Sequence, residues 1–303
     1  MLDYKLVEAL AKVVQEGGFE RAARVLFLTQ SAVSQRVRQL EEQCGQVLLT
    51  RSAPPQPTAA GKALLKHYQQ VSLLEHGLKS ELTSGEEGPL PTVTIGLNAD
   101  SLFYWFIEAL GPLFETMNLL FDLRVDDQEQ THHYLREGEV VGCVSTEAKP
   151  MQGCRVDPLG SMSYRMLATP EFSRRWFPQG LTEESVSCAP AVLFNRKDRL
   201  HQLFLEQQIN MVGDAFPAHY LPAPEPFAQL IIKGYSYGMI PDWQGEELLK
   251  SGQLIELLPG AKVQVDLFWH CWNLSADPLL KLSEQLIEGA RSILNGNNYR
   301  INK

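Results

Sequence analysis

Six side chains suited to contacts with nucleic acid fall on one face of a predicted helix near the start of the chain. They combine amide, hydroxyl and guanidinium groups: Gln30, Ser31, Ser34, Gln35, Arg36 and Arg38. Such groups hydrogen-bond to base edges and pair with phosphates when a helix lies in the major groove of DNA. Base or phosphate contact is expected above all from Ser31, Ser34, Gln35 and Arg36.

Hydrophobic spacing places this face on the second helix of a helix-turn-helix pair. The first helix is predicted to begin near Phe19 and to bury Ala22, Val25 and Leu26. Thr29 is the predicted N-cap of the second helix. The inward stripe of that helix is formed by Ala32, Val33, Val37 and Leu40. Spacing alone does not distinguish a DNA-binding helix-turn-helix from an ordinary amphipathic helix pair with a solvated polar face.

The chain after Gly45 predicts a wing and then a long helix. Apolar residues at 47–49, followed by three prolines, fit a short β-hairpin. Arg51 of this wing, together with Arg21 and Arg38, is expected to grip the DNA backbone. A helix over 59–82 has an apolar stripe that needs a partner. A second copy of the chain would supply that partner, and packing on its own chain is the alternative.

The order of residues in this region resembles the winged helix-turn-helix of LysR-type transcriptional regulators. The positions that carry the resemblance are Arg21, Ala22, Ala23, Leu26, Gln30, Ser31, Ser34, Leu40, Glu41, Gly45, Leu48, Leu49 and Arg51. Glu20 departs from the family pattern, in which a small or hydroxyl residue is common. The resemblance implies a homodimer, or a homotetramer, that binds double-stranded promoter DNA through two half-sites. RNA polymerase is a further candidate partner.

Charge is distributed unevenly along the chain. Residues 1–85 carry ten basic and eight acidic side chains, a net charge of +2, whereas residues 86–303 carry seventeen and twenty-eight, a net charge of -11. The amino-terminal segment is therefore attracted to phosphate while the remainder is repelled from it. This asymmetry predicts different functions for different domains.

Composition and missing motifs exclude several classes of protein. The length of 303 residues and a hydrophobic content of 44% indicate more than one domain. Because there is neither an apolar run of about 18 residues nor a signal-peptide pattern, we expect a cytoplasmic protein without membrane contact. Five scattered cysteines predict reduced thiols, with no metal and no cofactor. No hydrolase elbow, phosphate loop or zinc-protease motif is present, so an enzyme is not expected.

The second half of the chain predicts an α/β effector domain. Glycine, proline and charge over 83–91 indicate a hinge. Strand-like and helix-like segments then alternate, beginning with a strand at 92–97 and a helix at 101–114 and including a strand at 263–272. This is the pattern of a parallel sheet with covering helices. This resembles the two-lobed effector domain of the same regulators, which is related in shape to periplasmic solute-binding proteins. The predicted division is a winged helix-turn-helix at 1–58, a dimerising linker helix at 59–82, the hinge, and an effector domain at 92–303, with one lobe at about 92–160 and 265–303 and the other at about 161–264.

Candidate effector-binding residues lie where predicted strands end and helices begin, because ligands bind there in open α/β sheets. The set comprises Asn98, Asp100, Ser101, Trp105, Asp127, Ser145, Phe194 and Asp198. Ser101 and the neighbouring helix amides suit a carboxylate. The aspartates suit cations, although a helix cap or a solvated surface charge is the alternative for each of them.

The runs at 98–101 and 138–145, together with Trp105, Val125 and Asp127, look like the ArgP/LysG branch of the family, also called the chromosome-initiation inhibitor group. That resemblance implies L-lysine or L-arginine as effector and control of basic amino-acid transport or metabolism genes. A regulator of another branch, sensing a different small anion or amino acid, is the alternative. One segment departs from the branch, because prolines at 222 and 224 stand where hydroxyl or amide donors are usual.

Overall fold

Three helices open the chain in the computed structural model, which describes residues 2–82, 92–116, 119–126, 128–213 and 216–295. They are α1 (Tyr4–Gln15), α2 (Phe19–Val25) and α3 (Gln30–Cys44). The first of these helices, α1, is not among the elements predicted from the sequence. Its apolar residues at 6, 7, 10 and 13 lie at helical spacing and are all buried, so α1 supplies a wall of the amino-terminal core.

The prediction that Val25 is buried was wrong. Ala22 and Ala23 face the core, whereas Val25 is 43% exposed. The reason is that α2 ends at Val25 and the chain turns through Phe27, which has a positive φ of 54°. The last turn of α2 therefore presents its Val25 side to solvent, and Leu26 only partly packs on the core.

Both ends of α3 are capped, and the amino-terminal cap is the one predicted from the sequence. The Thr29 hydroxyl accepts a hydrogen bond from the Ala32 amide at 3.2 Å, as predicted for the N-cap. Gly45 ends the helix in the left-handed conformation, with φ 65°, which glycine adopts without a Cβ clash. The Glu41 carboxylate accepts a hydrogen bond from the Leu48 amide at 2.8 Å, and so ties the next segment to α3.

The wing is smaller than the predicted hairpin. A single antiparallel bridge joins Leu49 and Pro57, and the Thr50 amide donates to the Gln56 carbonyl at 2.8 Å. The three prolines of the loop have no amide hydrogen, so a longer ladder cannot form.

The long helix α4 (Ala59–Leu82) has the bounds expected from the sequence. Its start packs closely on the wing, because a Cβ at Gly61 would lie 2.2 Å from the Leu48 carbonyl oxygen. Farther along, Leu73 is buried and Gly77 lies against Pro278 of the carboxy-terminal helix, so one side of α4 packs on its own chain.

A second side of α4 remains uncovered. Leu74, Leu78 and Leu82 are 42%, 55% and 73% exposed at i, i+4 and i+8 spacing. We call these three residues the leucine stripe. The predicted hinge at 83–91, which follows it, lies outside the described residues.

A mixed sheet forms the centre of the α/β part. Its strands are β1 (Thr92–Leu97), β2 (Leu120–Val125), β3 (Gly142–Ser145), β4 (Cys154–Ala168), β5 (Ala191–Leu193), β6 (Ala218–Tyr220), β7 (Gly238–Pro241), β8 (Ile255–Glu256) and β9 (Val263–Trp272). The main sheet has the order β2-β1-β3-β9-β4-β7, with β8 paired to β4, while β5 and β6 pair separately.

The prediction of a parallel sheet holds for only part of the sheet. β1 pairs in parallel with β2 and β3, but β9 is antiparallel to β3 and to β4, and β4 is antiparallel to β7. The long strand β4 carries the chain from the β1–β3 group to the β5–β7 group, and β9 brings it back. Because one strand leaves and the other returns, they run in opposite directions. The two groups form two lobes, lobe I around β1–β3 and lobe II around β5–β7.

Helices cover both lobes. They are α5 (Ala99–Ser101), α6 (Ile107–Ala109), α7 (Gly111–Thr116), α8 (Gln128–Glu137), α9 (Pro170–Trp176), α10 (Glu183–Cys188), α11 (Leu200–Ile209), α12 (Pro224–Ile232), α13 (Asp242–Lys250) and α14 (Asp277–Asn295). The one helix expected over 101–114 is interrupted, since a π-helical segment at Leu102–Phe106 joins α5 to α6. In the described parts of the chain, no helix is both long and apolar enough for a membrane span.

The core beneath α14 is rich in tryptophan. Trp105, Trp269 and Trp272 are each at most 1% exposed. The Trp269 indole nitrogen donates to the Ser283 hydroxyl of α14 at 3.0 Å, which satisfies a buried donor and fixes the helix on the sheet.

Candidate functional site

The polar face of α3 lies on the surface of the molecule. Gln30, Ser31, Gln35 and Arg38 are exposed, while Ser34 and Arg36 are half-buried. Val33, Val37 and Leu40 occupy the opposite, buried side of the helix. The helix therefore offers amides, hydroxyls and guanidinium groups to a partner without losing any of its core contacts.

Two further arginines flank this face. Arg21 of α2 is exposed and donates to the Gly17 carbonyl oxygen at 3.1 Å. Arg51 lies exposed in the wing. Glu20, which departs from the family pattern, makes no cap: the N-cap of α2 is Gly18, without a side-chain hydrogen bond, and Glu20 pairs with Arg24 at 2.5 Å.

A cavity of about 660 Å³ lies in the cleft between the lobes. Its lobe I wall is formed at the carboxyl ends of three strands, with Asn98 and Asp100 after β1, Asp126 after β2, and Thr146 after β3. Its opposite wall includes Phe194 and Asp198, which follow β5. Asn98, Asp100, Phe194 and Asp198 of the sequence candidates are therefore brought together here.

Asp100 has an unusual environment for a carboxyl group. The Tyr164 hydroxyl of β4 donates to its Oδ2 atom at 2.8 Å. Loss of hydration raises the pKa of Asp100 to about 6, with a further contribution from the negative charge of Asp198, while the Tyr164 hydrogen bond opposes the rise. An added cation in the cavity would favour the ionised form.

A second tyrosine connects the two lobes across the cleft. The Tyr104 hydroxyl donates to Oε1 of Gln244 on α13 at 2.7 Å. The Tyr104 ring also stacks on Trp243, with ring centroids 6.4 Å apart and planes at 23°. Burial raises the pKa of Tyr104 above its usual range, so this hydroxyl stays protonated and remains a donor.

Asp198 has both carboxylate oxygens engaged by the backbone. Oδ2 accepts from the Phe194 amide at 3.0 Å, and Oδ1 accepts from the Leu200 amide at 2.9 Å. This carboxylate lines the cavity and also fixes the loop that leads into α11. Its structural role is thus to close the turn before α11, which is neither the helix cap nor the solvated surface charge named as the alternatives from the sequence.

Three sequence candidates lie behind the cavity wall rather than on it. Ser101, Trp105 and Ser145 are 0%, 1% and 2% exposed and do not line the cavity. The Ser101 amide already donates to Asn98 Oδ1 at 3.3 Å, because Asn98 is the N-cap of α5. The Ser145 hydroxyl accepts from the Glu147 amide at 3.1 Å and shapes the loop after β3. Their expected direct contact with an effector is not supported.

The predicted effector residue Asp127 lies outside the described residues, and its neighbour Asp126 lines the cavity. Asp126 Oδ2 accepts from the Tyr134 hydroxyl of α8 at 2.8 Å. Its amide donates to the Leu97 carbonyl at 3.2 Å, which continues the β1–β2 ladder. The position directly after a parallel strand is the sequence signal that could have identified Asp126.

Other cavity residues were not predicted; they lie in the π-helical segment, on the antiparallel strands β4 and β9, in the loop after β5, and on α13. They include Tyr104, Tyr164, Lys197, Arg199, Gln244, Gln264 and Asp266. Pro224 and Phe227 of α12 also line the cavity, and the N-cap of α12, Ala223, has no side-chain hydrogen bond. The departure noted at 222–224 therefore places carbon rather than polar donors at this part of the wall.

Metal binding finds no support in the described ranges, where no group of three or more histidine, cysteine or acidic residues is arranged to hold an ion. His132 instead packs edge-on against His270, with ring centroids 4.7 Å apart. Burial and the neighbouring His270 lower the pKa of His132. The cysteines within the described residues are all free thiols.

Comparison with known proteins matches both parts of the chain. Residues 4–62 match the family model described as bacterial regulatory helix-turn-helix protein, lysR family. A relative from Pseudomonas aeruginosa (strain UCBPP-PA14), named HTH-type transcriptional regulator ArgP, is 43% identical over 291 residues, which is 96% of this chain and 96% of the relative.

Two solved structures share the fold over nearly the whole chain. ArgP from Mycobacterium tuberculosis is 34% identical with a TM-score of 0.86, covering 97% of this chain and 99% of its own. Full-length LysG from Corynebacterium glutamicum, with bound effector arginine, is 30% identical with a TM-score of 0.75, covering 95% of this chain and 98% of its own.

Proposed function

This chain belongs to the LysR family of bacterial DNA-binding transcriptional regulators, and we propose that it reads promoter DNA with α3 and responds to arginine or lysine bound in the cleft. Members of this family are regulators rather than enzymes. Promoter binding would place the protein in the cytoplasm, with RNA polymerase as a candidate partner.

The charge of the cavity is the single observation that carries the proposed effector. Among the described lining residues are four aspartates, at 100, 126, 198 and 266, and two basic residues, Lys197 and Arg199. A basic amino acid has two cationic groups and one carboxylate, so this lining complements its charges. A small anion, which a regulator of another branch would sense, would be repelled by the excess of aspartates in this cavity. The bound arginine of the LysG relative favours the same class of effector.

The DNA-binding part of the proposal rests on exposure and on assembly. The α3 face and the flanking Arg21 and Arg51 are accessible. The leucine stripe of α4 is an apolar surface that a second copy of the chain would cover, bringing two α3 helices to two half-sites. Dimerisation through this helix, and any tetramer built from such dimers, are proposals of the same kind.

Contacts between α4 and lobe I would couple effector binding in the cleft to the position of the DNA-binding domain. Lys62 pairs with Glu137 at 3.0 Å and with Glu139 at 3.7 Å, and Lys66 Nζ donates to the Arg136 carbonyl oxygen at 3.2 Å. Because Asp126 and α8 belong to the same lobe, an effector that shifts this lobe would also shift α4. The distance between the two α3 helices of a dimer would then depend on whether an effector is bound in the cleft.

Thermal melting of the full chain against each of the twenty amino acids tests the effector class. A ligand that binds the native state raises the midpoint in a concentration-dependent way. We expect arginine or lysine to give the largest rise, and glutamate, which has the same backbone but an anionic side chain, to give none. A rise caused by acidic or neutral amino acids alone would replace the proposed effector with that of another branch. Gel-shift binding to a promoter fragment, repeated with the effective ligand, tests the DNA half of the proposal.

A further inference from the structure

The two basic side chains of the cavity lie on one loop of lobe II. Lys197 and Arg199 both follow β5 and precede α11, and in the described lining of the cavity they have no other cationic neighbour. The aspartates of the opposite wall, Asp100 and Asp126, belong to lobe I. Positive charge in the described lining is therefore confined to this loop, which also carries Asp198 with both carboxylate oxygens bonded to backbone amides, while Asp100 and Asp126 make the facing wall acidic.

Hydrogen bonds within the chain fix the backbone of this loop. Asp198 accepts from the amides of Phe194 and Leu200 and so closes the turn from inside. Asn195 Oδ1 accepts from the Lys197 amide at 2.8 Å, and the Asp198 amide donates to the Asn195 carbonyl at 3.2 Å. A loop held in this way presents its side chains without a large ordering cost on binding.

The site expected from the sequence for the effector carboxylate is closed. The Ser101 hydroxyl is fully buried, and its amide is already bonded to Asn98. A carboxylate placed on the lobe I wall would instead lie among the carboxyl groups of Asp100 and Asp126, where like charges repel.

We propose that Lys197 and Arg199 bind the α-carboxylate of the effector, so that its distal cation points toward Asp100 and Asp126. Guanidinium and ammonium groups pair strongly with carboxylates when partly removed from water. The ligand then spans the cleft, with its two ends on different lobes. This orientation rests on the proposed function. It identifies Lys197 and Arg199 as the residues by which the protein would distinguish an amino acid from the amine that lacks its carboxylate.

Calorimetric titration of the full chain with an amino acid and its decarboxylated analogue tests the orientation. The probes are L-arginine with agmatine and L-lysine with cadaverine, and the pair whose amino acid binds the wild-type protein more tightly is used. The variants are Lys197→Gln, Arg199→Gln and the double substitution. Arg196→Gln is the matched control, because Arg196 is on the same loop but lies over the Tyr220 ring at 4.7 Å and does not line the cavity.

We expect the wild-type protein to prefer the amino acid over the amine by at least about tenfold, since one charge-assisted contact is worth that much. The double variant should lose this preference, through weaker binding of the amino acid and equal or stronger binding of the amine. Arg196→Gln should keep it. Unchanged preference in the double variant would overturn the orientation while leaving the proposed effector standing. Failure of both amino acids to bind the wild-type protein would overturn the proposed effector, and this inference with it.

Discussion

The Tyr164 hydroxyl donates to Oδ2 of Asp100 at 2.8 Å, a bond that joins the strand crossing between the lobes to the first helical turn after β1. Tyr164 is 4% exposed, and burial raises its pKa well above the usual range, so it remains a donor. Asp100 has a pKa raised to about 6 by loss of hydration. Its charge state therefore changes close to neutral pH, at the wall of the proposed effector site.

Effector affinity should rise with pH because the bound cation requires an ionised Asp100. A carboxyl with a pKa of about 6 is mostly protonated at about pH 5 and mostly ionised at about pH 7.5, which corresponds to up to about a tenfold gain in affinity. Calorimetric titration with arginine or lysine at several pH values measures this gain.

Asp100→Asn is the control for that pH dependence. The asparagine oxygen still accepts from Tyr164, so the fold is expected to persist, while the titrating group is removed. Affinity in the variant should be lower and nearly flat across this range. A wild-type slope that persists in Asp100→Asn would assign the titration to another group.

The helix-turn-helix could be predicted from the sequence because its signals are local. The Thr29 cap, the α3 stripe and the bounds of α4 depend on neighbours a few residues apart. The strand β1 and the return strand β9 likewise have the bounds expected from their apolar runs. Whether α3 touches DNA through the expected side chains stays a prediction.

The cavity could be predicted only in part, because its walls meet through long-range pairing. Asn98 and Asp100 follow a strand in sequence, but Tyr164 reaches Asp100 from β4, whose direction the local pattern did not reveal. Ser101 and Trp105 failed as lining residues because helical rotation turns them into the core. Asp126 lines the cavity and follows β2 directly, but the local pattern did not select it.

Stability should fall with acidification because of His201. This histidine of α11 is 0% exposed and packs between Phe216 and Tyr237, and neither ring nitrogen has a hydrogen-bond partner in the described structure. Burial lowers its pKa to about 4, with the charge of Asp198 opposing the shift. The folded state therefore resists a proton that the unfolded chain accepts near its ordinary pKa of about 6.5.

The sign follows from the depressed pKa. The contribution of a neutral His201 is fully present above about pH 6.5 and is lost as the pH falls toward about 4, by an amount on the order of 2–3 kcal/mol. His201→Phe should flatten this part of the curve of unfolding free energy against pH, measured by chemical denaturation. His219→Phe, at an exposed position, should leave the slope as in the wild type. Equal slopes in all three proteins would contradict the role given to His201.

Arg36→Ala should weaken promoter binding at least about tenfold, because it removes a guanidinium from the centre of the α3 face. The dependence of affinity on salt should also become shallower if Arg36 contacts a phosphate. Gel shifts at several salt concentrations measure both effects. Arg174→Ala removes the same charge from an exposed position on α9, far along the chain from the DNA reader, and should leave affinity unchanged. Wild-type affinity in Arg36→Ala would remove this residue from the interface.

Leu78→Glu should weaken self-association because it places a charge in the middle of the leucine stripe. Leu78 is 55% exposed within one chain, so the substitution costs little in folding, but a glutamate buried against a second copy would be desolvated without a partner. We expect the dissociation constant, measured by analytical ultracentrifugation, to rise at least about tenfold. Val212→Glu, at an apolar side chain that is 84% exposed in lobe II, controls for the added charge and should associate as the wild type does. If Leu78→Glu also kept its wild-type association, the dimer contact would have to lie on a surface other than α4.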